Sequence, residues 1–494
     1  MAVVMAIDAG TTGVRALAVG PDSPPRASSY REFPQHFPRP GWVEHDPDDI
    51  WDAVLATTTE VLEGVDEAVA AVGVTVQRET VVAWDRRDGR PRHRAIVWQD
   101  RRTASRCDEL REAGHLPALR ARTGLVLDPY FSATKLEWLL TEGGVEADAD
   151  LAVGTVDSWI VWNLTGGAVH ATDPSNASRT LLFDIGERRW SGELCDLFGV
   201  PGAALPEVRP SSGRVGVTAA GATPFGAGVP VSGIAGDQQA ALFGQACFEP
   251  GMVKATHGTG SFVLVNAGPD RPPPPEGLLT TVAWTLADGT TAYAVEGSVF
   301  ATGAAIGWLR DGLGLLEDVA EVGPLAESLP GTEGVYLVPA FAGLGSPWWD
   351  PWARGAVVGL TRGTGRGHLA RAAVEAIAHQ TRDVVDAMVA ATGRQPTVVR
   401  VDGGASVMDL LLQLQADQLG VTVARPAVTE TTALGAAWLA GLGEGVWSSL
   451  EELAASWRAE REVEPQAPRS VADARHRDWR RAVDRARSWA RPGD

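Results

Sequence analysis

The sequence predicts an α/β protein made of two related halves. Apolar runs of strand length alternate with helix-periodic stretches along most of the chain. A strand, a glycine-threonine turn and a second strand occur at residues 3–19, and the same order returns at residues 252–265.

Residues 3–7 (Val-Val-Met-Ala-Ile) read as a short buried strand, Asp8-Ala-Gly-Thr-Thr-Gly13 as the turn, and residues 14–19 as the return strand. Prolines at 21–25 and 34–40 mark loops. Ile50, Val54, Leu55 and Leu62 fall near one face, which predicts a helix over 49–62. Strands at 69–75 and 81–84 flank Gln77-Arg-Glu-Thr80, and Asp88-Gly89 closes the second. Ile234-Ala-Gly-Asp237-Gln238 reads as a strand end, a glycine turn and a helix start. Residues 252–256 and 262–265 flank the second turn, His257-Gly-Thr-Gly260, and the halves meet near residue 245. Pro272 to Pro275 is a surface loop, and 369–391 is a long amphipathic helix. A strand at 398–401 ends in Asp402-Gly403-Gly404 and leads into a helix to Leu419. The charged tail beyond Gly445 reads as helical.

Composition narrows the function. The 494 residues are 45% apolar and 21% charged, with a net charge of −19, so a phosphate backbone is repelled rather than bound. Only two residues are lysine, Lys135 and Lys254. Cys107, Cys195 and Cys247 lie far apart with no C-x-x-C pair, which argues against a disulfide framework and for a reducing, cytoplasmic setting. The apolar start breaks at Asp8 and has no basic flank, so it does not read as a signal peptide. Asn163-Leu-Thr165 and Asn176-Ala-Ser178 are chance sequons in that setting. There is no Walker motif, no G-x-G-x-x-G after a strand, no H-E-x-x-H and no G-x-S-x-G.

The turns carry the remaining chemistry. Glycine hairpins expose successive N–H groups and threonines add hydroxyls, a concavity suited to phosphate oxygens; equally, such residues merely make hairpins. Asp8 beside the first turn could hold Mg²⁺ through water. Asp237, where a strand gives way to a helix, suits proton abstraction from a hydroxyl, but spacing alone favours a helix N-cap. Arg78-Glu79 offers a donor and an acceptor to a neutral polyol, although an ordinary surface pair explains it as well. Trp98, Tyr130 and Phe262 are pocket-wall or core aromatics, and Lys135 shares a helix face with Phe131 and Trp138.

From Asp8 to about Gly443 the chain resembles the FGGY family of carbohydrate kinases. Tyr130-Phe-Ser-Ala-Thr-Lys-Leu-Glu-Trp-Leu-Leu-Thr-Glu142 matches one family signature. Gly355-Ala-Val-Val-Gly-Leu360 with His368-Leu-Ala-Arg-Ala-Ala-Val-Glu375 matches the other. Residues 41–46, 77–80, 236–245 and 343–351 resemble the glycerol-phosphorylating members. The resemblance implies two actin-like (ribonuclease H-like) domains flanking a deep cleft. Residues 1–244 would bind glycerol, residues 245–444 would bind the nucleotide, and a helical tail at 445–494 would pack on the second domain.

It implies transfer of a phosphoryl group from ATP, with Mg²⁺, to a terminal hydroxyl of glycerol, in a homodimer or homotetramer. Arg78, Glu79, Trp98, Tyr130, Asp237, Gln238 and Phe262 match its substrate-binding positions, with Asp237 also the base. Thr11, Thr12, Gly13, Arg15, Thr259, Gly303, Gly307, Gly404 and Met408 match nucleotide-contacting positions, and Asp8 the Mg²⁺-associated aspartate. Ala9, Gly13, Gly307 and Met408 depart from the family's common Gln, Ser, Gln and Asn. Gly221-Ala-Thr-Pro-Phe-Gly226 does not reproduce the basic loop tied to sugar-bisphosphate inhibition. A kinase for another polyol or sugar is the alternative reading; a silent nucleotide-binding regulator is a third.

Overall fold

In the computed structural model, residues 2–22 and 24–491 are described. The first large sheet has six strands in the order Ser212–Val217, Pro230–Gly236, Val69–Val76, Val3–Ala9, Gly13–Val19, Pro25–Glu32. Val3–Ala9 runs parallel to Val69–Val76, which runs parallel to Pro230–Gly236; the last three strands form an antiparallel meander.

The second has seven, in the order Leu279–Thr285, Thr291–Val299, Ser261–Gly268, Val253–His257, Val398–Asp402, Thr422–Pro426, Ala459–Val463. Val253–His257 begins an antiparallel meander through Ser261–Gly268 and Thr291–Val299. On its other side lie two parallel strands, Val398–Asp402 and Thr422–Pro426. The five-strand plan of the first sheet is therefore repeated, and the two Gly-Thr turns sit at corresponding hairpins.

The four central strands of the first sheet, Val3–Ala9, Gly13–Val19, Val69–Val76 and Pro230–Gly236, are buried on both faces, which is why they read as apolar runs. Met5 and Ile7 point to helix Pro47–Glu63 through Ile50, Ala53 and Val54. Val4, Ala6 and Leu17 point the other way, into a core shared with Leu242, Phe243, Ala436 and Leu439. That second core belongs to helices Asp237–Gly244 and Thr431–Gly443, each of which follows the third parallel strand of its sheet. The two helices cross where Gly244 meets the Thr431 carbonyl and Gly435 meets the Ala240 carbonyl; a Cβ at either position would collide with backbone. Glycine is required there for close approach.

Most expected elements are present with small shifts of boundary: helices at Pro47–Glu63 and Arg366–Thr392, strands at Val69–Val76, Val81–Asp85 and Val398–Asp402. Four features differ. Strand Pro25–Glu32 lies between the two expected loops, where no element was read, because its alternating exposure carries few apolar residues. Strand Pro230–Gly236 runs straight into helix Asp237–Gly244 with no turn between. A 3₁₀ segment, Gly404–Val407, precedes helix Asp409–Leu419. The tail is not wholly helical: Ala459–Val463 pairs antiparallel with Thr422–Pro426 before helix Arg469–Ala486. Among the described residues no helix is long and apolar enough to cross a membrane.

Candidate active site

Asp237 is the first residue of its helix, and the N-cap is Gly236. The cap reading therefore fails: the carboxylate accepts only from the adjacent Gln238 N–H (2.7 Å) and makes no helix-capping bond. Its side chain stays 29% exposed, with Oδ1 3.2 Å from Arg78 Nε. An acid at a helix start, held on one side by a guanidinium and open on the other, is available to a substrate hydroxyl.

Arg78 and Glu79 are not a surface pair. Both are buried, and Glu79 sits at φ 63°, a left-handed conformation costly for a non-glycine residue. Arg78 NH1 lies 2.5 Å from Glu296 Oε2, its NH2 3.1 Å from Glu296 Oε1, and NH2 also donates to the Tyr130 hydroxyl (3.3 Å). Arg179 Nε donates to Glu79 Oε1 (2.7 Å), and its NH2 to Glu296 Oε1 (2.9 Å). Burial raises Glu296, but Arg179 and Arg78 prevail and hold its carboxyl at about 2. Glu79 is raised, because burial outweighs the same two guanidinium groups. Arg179 and Glu296 were not legible in the sequence; they lie about 100 and 200 residues from Arg78, with no local pattern linking them.

The aromatics close around this network. Trp98 and Tyr130 meet edge to face at 5.5 Å, and Arg78 lies over the Phe262 ring at 5.7 Å. Tyr130 is anchored through Lys135, whose buried ammonium donates to the carbonyls of Pro129, Tyr130 and Phe131 (2.8, 2.7 and 2.8 Å). Trp98 Nε1 donates to Thr11 Oγ1 (2.9 Å), joining the pocket wall to the first turn. Gln238 accepts from Lys254, the second buried lysine, which also donates to Thr256 Oγ1 (2.9 Å). Asn176 and Ser178 are fully buried in the segment carrying Arg179, so that sequon is closed to modification.

Around the first turn, Asp8 has its carboxyl pushed up to about 7, by burial first and then by Asp237 and Glu430. Arg15 pairs with Glu430 (2.9 Å) from the far half, and Thr12 Oγ1 lies 3.1 Å from the Tyr30 hydroxyl. Gly13 is packed against Tyr30. At the second turn Thr302 N donates to Thr259 O and Gly303 N to Gly258 O, both at 2.9 Å, seating the start of helix Gly303–Asp311 on the turn. Gly403, at φ 86°, lies flat against His257, and Gly404 follows with open space beyond its Cα. Gly307, one turn along its helix, also faces open space, whereas Met408 turns toward Gly323. The structure thus brings Thr259, Gly303 and Gly404 together on one side and Thr11, Thr12, Gly13 and Arg15 together on the other.

Residues 3–244 match the N-terminal domain, and residues 253–444 the C-terminal domain, of the FGGY family of carbohydrate kinases. The chain is 55% identical to a glycerol kinase of Trichlorobacter lovleyi, covering 100% of both, and 52% identical to a glycerol kinase of Bordetella parapertussis, covering 99% of this chain and 98% of the relative. It superposes on a Plasmodium falciparum glycerol kinase with ADP at a TM-score of 0.93 and 32% identity, over 98% of each chain. The architecture is that family's two-domain actin-like fold. The chain belongs to the FGGY family of carbohydrate kinases.

Proposed function

We propose that this chain transfers the γ-phosphoryl group of ATP to a terminal hydroxyl of glycerol, giving sn-glycerol 3-phosphate and ADP, with Asp237 as the base. The observation that carries the reading is the open Asp237 carboxylate held 3.2 Å from the buried Arg78. The glycerol kinases that match the whole chain support it.

The chemistry asks for position and charge rather than for covalent steps by the protein. Arg78 donates to glycerol hydroxyls and Glu79 accepts from them, while Arg179 and Glu296 keep both side chains in place. Trp98, Tyr130 and Phe262 cover the C–H faces, and the Gln238 amide, its oxygen engaged by Lys254, turns its NH₂ to the substrate. The pocket holds Arg78 and Arg179 against Glu79, Asp237 and Glu296, so it carries no excess positive charge. That balance suits a neutral triol and disfavours an anionic aldonate. Asp237 takes the hydroxyl proton as the oxygen moves toward the γ-phosphorus.

ATP would lie between the turns, its phosphates on N–H groups of residues 11–12 and 259–260, since the Gly10 and Gly258 N–H groups close their own hairpins onto the Gly13 and Gly260 carbonyls. Asp8 fits a Mg²⁺ ion: burial and two carboxylate neighbours leave it short of positive charge, although among the described residues no group of three or more ligating side chains could hold a metal by itself. Such an ion, bound mainly by phosphate and water, would neutralise phosphate charge. An ADP-release assay over glycerol, dihydroxyacetone, xylulose, ribulose and gluconate tests the proposal. Glycerol should be used fastest; faster turnover of a ketose or of gluconate would reject it.

A further inference from the structure

The first turn lacks a side chain at residue 13, and the structure supplies a replacement from another strand. Asp8 pairs with Arg15, and Arg15 with Tyr30, across three adjacent antiparallel strands. Directly paired residues project from the same face of a sheet. Asp8, Arg15 and Tyr30 therefore form one row. It lies on the face bearing Val4, Ala6 and Leu17, the side toward Glu430 and the second half.

From that row the Tyr30 ring leans back over Gly13. A Cβ built on Gly13 would stand 2.8 Å from both Tyr30 Cζ and the Tyr30 hydroxyl, and 2.5 Å from the Arg31 carbonyl oxygen. The phenol thus occupies the space a side chain at 13 would take. Its hydroxyl lies 3.1 Å from Thr12 Oγ1, and the Arg15 guanidinium covers its ring at 5.3 Å. Yet Tyr30 is 45% exposed, so the hydroxyl is not used up by the fold.

We infer that Tyr30 is a nucleotide-binding residue, its phenol donating to a phosphate oxygen of ATP at the first turn in place of a hydroxyl on residue 13. This rests on the reading above that the turn cradles phosphate. Either hydroxyl can donate in the Thr12–Tyr30 contact; with Thr12 as the donor to the phenol oxygen, the phenol proton is left for the anion. A relay of that kind needs a hydroxyl at the end of a rigid ring. Gly13 makes room both for the ring and for the Arg31 carbonyl.

The test is Tyr30→Phe in the full chain, which keeps the ring under Arg15 and removes only the hydroxyl. ATP and ADP affinities are measured by calorimetry with magnesium and without glycerol. Alongside are measured the KM for each substrate and the melting temperature of the unliganded protein. Losing a hydrogen bond to a charged group at a partly exposed site should weaken nucleotide about tenfold. The glycerol KM should stay within about twofold, and the melting temperature should not move. Unchanged ATP affinity in Tyr30→Phe, beside normal binding by the parent, overturns the inference and leaves the kinase reading intact. A fall in melting temperature with equal losses for both substrates also overturns it, because the ring would then be acting only through packing. If the parent binds ATP but releases no ADP with glycerol, the kinase reading fails while the Tyr30 comparison still stands on binding.

Discussion

The two Gly-Thr turns occupy matching places in sheets of one plan but carry opposite chemistry. In the first, the penultimate residue of the leading strand is Asp8, a carboxylate with Asp237 and Glu430 nearby. In the second, the penultimate residue is Thr256, and its hydroxyl is met by the buried Lys254 ammonium. His257 follows, held neutral by burial, with its ring nitrogens bonded to Ser261 and Gln415 at 2.8 Å each. A polyphosphate between two carboxylate-bearing turns would be repelled from both sides. On the proposed reading, with the acid on one side only, the second turn would take phosphate directly and the first would take it together with a cation. The two hairpins share one strand plan and differ at one position, Asp8 in the first against Thr256 in the second.

That asymmetry can be broken on the acidic side. Replacing Asp237 by Asn removes the base while keeping its shape, and kcat should fall by about 10²- to 10⁴-fold. The glycerol KM should change far less. Near-normal turnover in steady-state assays would remove Asp237 from the role.

Glu296→Gln acts where the halves meet. It strips one carboxylate from Arg78 and Arg179, which are both buried. Arg179 keeps Glu79 and Arg78 keeps Asp237, so what is lost is charge-assisted hydrogen bonding, about 1.5–3 kcal/mol, to be read as a lowered denaturant midpoint. A midpoint unchanged from the parent would show that the network is not structural.

A smaller effect sharpens the comparison through pH. Neutral histidines occur in both halves: the half-buried His170, lowered to about 3 chiefly by desolvation, in the first, and the buried His257, lowered to about 4 for the same reason, in the second. A depressed folded-state value means the unfolded chain binds the proton first. The associated stability is present above about 6.5 and is lost as pH falls toward the folded value. Asp8 and Asp157, each raised to about 7, act in the opposite sense, so the variant difference is the clean observable. His170→Gln should lose about 1–2 kcal/mol less than the parent between pH 7 and 5. Parallel stability curves for the two proteins would contradict that sign.

The strand–turn–strand echo was legible because both strands are apolar on both faces, and the helix at 366–392 because its apolar stripe is long. The strand carrying Tyr30 was not: Pro25–Glu32 alternates half-buried with exposed residues, few of them apolar, and looks like loop. Strand Ala459–Val463 hid for the same reason, since only Val463 is buried. Arg78 and Glu79 could be picked out as an opposite-charge pair, but their burial depends on Arg179 and Glu296, which tertiary folding alone brings near. Asp237 looked like a cap because aspartate at a helix start usually is one; the backbone of Gly236 takes that place instead.

The most direct measurement is ³¹P NMR of the parent protein mixed with ATP, magnesium and glycerol. The account predicts sn-glycerol 3-phosphate and ADP appearing in equal amounts. Inorganic phosphate in place of the phosphate ester, or no change in the ATP signals, would contradict it.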